Sequence, residues 1–231
     1  MKVLYKPFRI FKILCIVITV LVVFAVLFKL LHHYYKTHGI ALLDFIFNLD
    51  EEHNIPSFYS FAQLVTAGVL LMIIALHASG EKLRYASSWW LMVFLFFYIA
   101  VDELESIHER VDKYLRENFH TTGFFHFSWI IPAVILLLIL GLILLKFVVN
   151  LPPLSRKRFL IAGSVYIVGA VGGDAVAGEY ISIHGNGLGW PYVLEYHIEE
   201  TMEMFGIAYF IYGLLLHIKE NISAEIVFKS E

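Results

Sequence analysis

The chain has 231 residues, of which 59% are hydrophobic and 16% charged, with a mean hydropathy of +0.74. Soluble domains average about 45–50% apolar and about 25% charged residues, so this composition excludes one. A net charge of -3 without a basic stripe excludes a nucleic-acid surface, and the lone cysteine, Cys15, excludes an internal disulfide, an iron–sulfur cluster and a thiolate zinc site.

Six apolar stretches are long enough to cross a hydrocarbon core of about 30 Å. They cover residues 11–28, 58–77, 88–107, 127–149, 159–179 and 193–218. The first has a basic flank like that of a signal peptide, but no small-x-small cleavage site follows, so it reads as a retained helix. The expectation is an all-α, polytopic membrane protein: a six-helix transmembrane bundle in a single domain, 1–231, in the cell membrane. The closing FKSE reads as a solvated tail. The NIS sequon at Asn221 falls on the cytoplasmic side and carries no meaning there.

Lysine and arginine set the orientation. Twelve of the seventeen lie at the two ends, around Lys82 and Arg84, and around LPPLSRKRF. These segments alternate correctly for six spans with both termini cytoplasmic. The outer face receives Lys29, Lys36, Arg110, Lys113 and Arg116.

With that orientation every polar cluster falls on the extracytoplasmic side. In chain order they are NLDEEHN before span 2, DELESIHE ending span 3, GGDAVAGEYISIHG ending span 5 and EYHIEETME opening span 6. Together they hold thirteen of the twenty acidic residues and no Lys or Arg. At 1.5 Å per residue, Asp102 lies about 21 Å above the cytoplasmic boundary, Asp174 about 24 Å and Glu203 about 22 Å. Three helices therefore bring carboxylates to one depth. Spans 2, 3, 5 and 6 are expected to surround a pocket open to the outside, with spans 1 and 4 excluded from it.

Helical phase sharpens the candidates. Asp102, Glu105 and Glu109 share a stripe with His108 on its flank, and Glu103 points elsewhere. Glu105 and His108 form a Glu-x-x-His pair on one face. In span 6, Glu195, Glu199 and Glu203 form a column, with Glu200 beside it and His197 one turn away. Carboxylates at these spacings repel one another. Each costs roughly 2.5–3.5 kcal/mol near a bilayer centre. They need a neutraliser: bound metal first, protonation second, and salt bridges from Arg110, Lys113 or Arg116 third.

In the loop before span 2, Glu52 and His53 are ligands if it folds inward. Asn54 reads as the N-cap of that span, and Tyr59, Ser60 and Gln63 as supporting hydrogen bonders. Asp174 sits among glycines and alanines that read as a helix-packing face, and a buried acid there is a functional candidate. Glu179 and His184 read as nearer the surface. His77 and His217 lie at the cytoplasmic ends, away from the site.

The order DEEHNIPSFYS, then VDELESIHERV, then LEYHIEETMEMFG before FIYGLLL resembles an uncharacterised family of bacterial multi-pass membrane proteins. The resemblance covers about Asp50 to Leu216 and implies a fold without implying a mechanism. In chemistry alone the four polar helices also resemble ferritin-like di-metal bundles, where carboxylates and Glu-x-x-His motifs hold two ions. Ceramidase-like zinc hydrolases use His-x-x-x-His and Ser-x-x-x-His motifs, and neither occurs here.

The metal candidates are thus Glu52, His53, Asp102, Glu105, His108, Glu109, Asp174, His197, Glu199, Glu200 and Glu203. Oxygen and imidazole donors suit iron, manganese or zinc, as one ion or two. The working expectation is a metal-dependent membrane enzyme, hydrolase or di-metal oxidoreductase, acting on a lipophilic substrate among membrane lipids. The alternatives are a cation or proton-coupled transporter using the same acids, and a non-catalytic membrane subunit that docks a partner. No oligomeric state is read from the sequence.

Overall fold

The computed structural model describes residues 6–185 and 189–222. The described residues are 87% helical and contain no strand. Among the described residues six helical runs are long and apolar enough to cross a membrane. They are α1 (Pro7–Tyr35), α3 (Ile55–Gly80), α4 (Ala86–Glu105), α6 (Ile130–Asn150), the run Pro153–His184 and α9 (Trp190–Asn221). The run Pro153–His184 comprises α7 (Pro153–Ile167), a π-helical segment (Val168–Gly173) and α8 (Asp174–His184). The expected all-α bundle with six spans is what forms. The chain ends, which carry the FKSE tail and part of the sequon, lie outside the described residues.

Two further helices were not expected: α2 (His38–Phe47) and α5 (Ile107–Phe119). The second corrects the reading of span 3. That span does not continue through Ile107, because Ser106 adopts a left-handed conformation (φ 48°, ψ 48°) that ends α4. The next residue starts α5, IHERVDKYLRENF, whose polar and apolar residues segregate onto opposite faces.

Local chemistry fixes the other boundaries. Asn54 caps α3 as expected: its side chain accepts from the Ser57 N–H at 3.1 Å, and Ser57 Oγ accepts from the Asn54 N–H at 3.0 Å. The same amide donates to the carbonyls of Asn48 (2.6 Å) and Phe45 (3.0 Å), which pins the loop carrying Asp50, Glu51 and Glu52. Pro56 follows inside the first turn, where a missing N–H costs nothing.

α9 is the most enclosed span, whereas α1 and α6 expose long apolar flanks suited to lipid. Leu64 and Leu71 of α3, Phe96 of α4 and Phe210, Ile211 and Leu214 of α9 build the main core. Phe96 stacks on Phe210 with ring centroids 4.8 Å apart. Phe11 near the start of α1 stacks on Tyr212 near the end of α9 at 5.1 Å, so those two helix ends share one end of the bundle. The acids collect at the other end.

Candidate functional site: an acidic chamber

At that other end the helices enclose a cavity of about 470 Å³. Contributions come from the loop after α2, the end of α4, the polar face of α5, the π segment with Asp174, and the first half of α9. No residue of α1 or α6 lines it. Eleven carboxylates face this one space: Asp50, Glu51, Glu52, Asp102, Glu103, Glu109, Asp112, Asp174, Glu199, Glu200 and Glu203. His108, Lys113 and Arg116 are the basic residues among the lining.

Of the expected ligands, Glu52, Asp102, His108, Glu109, Asp174, Glu199, Glu200 and Glu203 line the chamber, and three do not. Glu105 is turned outward, where it pairs with Arg110 at 3.2 Å. The break at Ser106 separates it from His108, so the Glu-x-x-His face never forms. His53 is exposed, in a left-handed backbone conformation (φ 57°) outside the cavity. His197 is buried on another side of α9, within the field of Lys29 and Asp44. Its Nδ1–H donates to the Val193 carbonyl at 2.7 Å, and its Nε2 has no partner among the described residues.

Glu103, expected to point elsewhere, lines the chamber within hydrogen-bonding reach of Ser60 on α3. Adjacent helical positions differ by about 100°, and a chamber this wide accepts both Asp102 and Glu103. Tyr59 and Gln63 do not reach it: the Tyr59 hydroxyl donates to the Leu14 carbonyl of α1 at 3.1 Å, and Gln63 donates to Tyr59 at 3.2 Å. Asp50, Glu51, Asp112 and Tyr166 are further lining residues that the helical-phase reading missed.

A chain of side chains crosses the space. Asp102 accepts the His108 backbone N–H at 2.8 Å with one oxygen and lies 3.0 Å from His108 Nδ1 with the other. It therefore caps α5 and orients the imidazole at once. The His108 ring lies 5.2 Å from that of Trp129, whose indole N–H donates to Asp174 at 2.5 Å. Burial by itself lowers the His108 pKa. The Asp102 hydrogen bond and charge, aided by Asp174 and Glu109, outweigh it and carry the ring up to about 9. Above α9, burial raises the Glu52 carboxyl, while contact with Ser106 and the charges of His108 and His53 lower it.

The far wall depends on close approach of two backbones. The π segment, VGAVGG, inserts extra backbone per turn and is rich in glycine, a poor α-helix former. An added Cβ would lie 3.0 Å from the Glu199 carbonyl oxygen at Gly169, and 2.7 Å from the Glu199 carboxyl carbon at Gly173. Those glycines let Glu199 lie directly against the π turn. Deeper in α9, Glu203 is within hydrogen-bonding reach of Tyr166, which lines the same space. Tyr196, 4% exposed, has a hydroxyl with no partner among the described residues.

Cations from α5 do not reach the glutamates of α9. Arg116 bonds Asp112 at 2.6 Å, Arg110 bonds Glu105, and Lys113 makes no ion pair among the described residues. Asp112 also accepts the Ser128 N–H at 2.5 Å, which ties α5 to the approach of α6. Salt bridging, the third neutraliser considered, is thus confined to the α5 side. Among the described residues, no three His, Cys, Asp or Glu side chains converge as they stand into a set that would hold a metal ion.

The family model described as a domain of unknown function, DUF8692, matches residues 14–218. The chain belongs to this family. The matched region contains every residue of the acidic chamber and nearly all of the six spans of this DUF8692 chain. No curated protein and no solved structure matches it.

Proposed function

We propose that the chamber binds transition-metal cations and that the protein is a metal-dependent enzyme of the cell membrane acting on a lipophilic substrate. The observation that carries this reading is the charge imbalance. Eleven carboxylates share one cavity with two permanently cationic side chains and one imidazole, and the two cations lie on α5, away from the glutamates of α9. Carboxylates confined together must take up protons or have positive charge between them, and a bound cation supplies that charge for the whole set at once. Oxygen donors with one imidazole suit iron, manganese or zinc. The core of the set is Glu103, Glu199, Glu200 and Glu203, with His108 held by Asp102 and with Asp174 opposite. Without an ion between them like charges stand apart, and these side chains would have to rotate inward to hold one. A metal there would activate water for hydrolysis or, as a redox pair, support oxidation.

A blind chamber supports this reading over transport. Below Glu203 and Tyr166 the lining stops, and Phe96, Phe210, Ile211 and Leu214 fill the space. A conduit for ions needs polar groups through that layer. The deciding experiment is elemental analysis of protein extracted in mild detergent, followed by titration with iron, manganese and zinc. Tight, near-stoichiometric metal supports the proposal. Protein that is metal-free as isolated and takes up none of the three refutes it.

A further inference from the structure

The opposite end of the bundle, which the lysine and arginine distribution assigns to the cytoplasm, holds a second and separate cavity of about 220 Å³. It lies between α3, α4, α6 and α9 beneath the connection from α3 to α4. Its walls are aromatic and aliphatic, with Trp89 and Phe147 in edge contact at 4.8 Å and Tyr85 6.0 Å from Phe147. Its polar groups are basic or neutral: Arg84, His77 and His217 with two asparagines, and no carboxylate.

Two of these groups are arranged as donors. His217 is 6% exposed, and its Nδ1 lies 2.9 Å from Ser155 Oγ and 3.4 Å from Asn221 Nδ2. The Asn221 amide also donates to the His217 carbonyl at 3.1 Å, which fixes that nitrogen as the NH₂ group. An amide nitrogen donates only, so Nδ1 is an acceptor, the Ser155 hydroxyl donates to it as well, and the ring carries its proton on Nε2. What His217 offers the cleft is therefore an N–H. Arg84 is the second donor. At the same end Arg158 is held by Glu220 through two bonds (2.8 and 3.2 Å), and Arg156 donates to the Val149 carbonyl at 2.8 Å. Arg84 has no such partner among the described residues; its guanidinium lies 5.4 Å from the Tyr85 ring.

We propose that this cleft binds the headgroup phosphate of an anionic phospholipid. Arg84 and the His217 N–H take the phosphate, and the acyl chains run along the exposed apolar flank of α6, where Leu142, Leu145 and Val149 face outward. Basic pockets between spans on the cytoplasmic side are suited to lipid headgroups. The apolar walls favour a lipid over a free anion, which would need more than one permanent cation to leave water. The cavity is too small for a whole lipid and fits a headgroup. This site is independent of the acidic chamber and stands whether or not that chamber binds metal.

The test is native mass spectrometry of the full chain, delipidated in detergent and titrated with phosphatidylglycerol or phosphatidylcholine. Wild type is expected to retain one phosphatidylglycerol in preference to phosphatidylcholine. Arg84→Gln, at an exposed position, weakens that retention about fivefold. Arg110→Gln, which removes an equal charge at the other end, leaves it unchanged. Millimolar inorganic phosphate does not displace the lipid. Equal retention by wild type and Arg84→Gln, an equal loss in Arg110→Gln, or no preference over phosphatidylcholine overturns the proposal. Displacement by inorganic phosphate also overturns it and assigns the cleft to a free anion.

Discussion

Gly173→Ala displaces one chamber carboxylate without removing it. A Cβ at position 173 would stand 2.7 Å from Glu199 Cδ and 2.8 Å from its Cγ and Oε2. Carbon contacts settle at about 3.5–4.0 Å, so the carboxylate must swing away by about 1 Å. The obstacle is the far end of a flexible side chain, so the backbone of α9 stays in place. Alanine gains up to about 1 kcal/mol over glycine as a helix former, and a strained Glu199 rotamer costs about 0.5–1.5 kcal/mol. These nearly cancel, and the melting temperature of the metal-free protein should barely move. Metal–ligand distances tolerate only about 0.2 Å, and misplacing a group that shapes a site costs about 10–100-fold in affinity. Calorimetric titration with zinc and manganese should therefore show a loss of that size. Gly206→Ala is the contrasting case. Its Cβ would meet backbone atoms, Tyr166 N at 3.0 Å and Ala162 O at 3.2 Å. The helices must part, at a cost of about 1–3 kcal/mol, and the melting temperature falls. Wild-type metal affinity in Gly173→Ala would refute the placement of Glu199 as a ligand.

Glu103→Ala, Glu203→Ala and His108→Ala should each weaken metal binding at least about tenfold, whereas Glu105→Ala and His217→Ala should not; uniform loss across all five would indicate general destabilisation. The double variant Glu199→Gln with Glu203→Gln should lose metal yet melt higher than wild type when both are metal-free, because each ionised acid costs roughly 2.5–3.5 kcal/mol at the bilayer centre. Lower melting with and without metal would mean that the acids are held by cationic partners. In metal-free protein the His108 ring should titrate near pH 9 by NMR, and Asp102→Asn should return it toward its ordinary value of about 6.5. Because the folded pKa is the higher one, the stabilisation from this pair is complete below about pH 6.5 and lost as pH rises through about 9. A His108 ring that titrates at or below its ordinary value in wild type would remove the Asp102 pairing.

Hydropathy made the six spans legible, because an uninterrupted apolar run of that length has few other uses. The acids of α9 were legible for the complementary reason: carboxylates inside such a run demand a common explanation. Glu103 was misread because the chamber is wide enough to take two neighbouring helical positions, and Glu105 because the helix breaks just after it. Phase arguments assume a continuous helix, and nothing in DELESIHE announces that Ser106 will turn left-handed in place of a glycine or asparagine. His197 was misread because Glu199, Glu200 and Glu203 already claim one side of α9, and an imidazole at 197 falls toward α1 and α2. The α2 helix was hidden by its own apolarity, which blends into the spans on either side.

The chamber exists because two stretches depart from the α-helical period. Had α4 continued past Glu105, Asp102, Glu105 and Glu109 would have kept one stripe, rising beyond the bundle toward solvent. The left-handed turn instead starts a new helix, and Asp102 becomes the cap that fixes His108. It also lets α5 carry Glu109, Asp112, Lys113 and Arg116 to the cavity wall, bringing both of the chamber's permanent cations. Opposite, the π segment places Gly169 and Gly173 against α9, so Glu199 packs on backbone and is not held off by side chains. Helix period alone predicts neither feature. Both act on the positions of carboxylates, and both lie where the helices leave the apolar core. A bundle that only had to be stable would need neither the break in α4 nor a run of glycines, which are poor helix formers. Conserving stability is therefore a poor account of these two segments, and holding charged groups around one space is a better one.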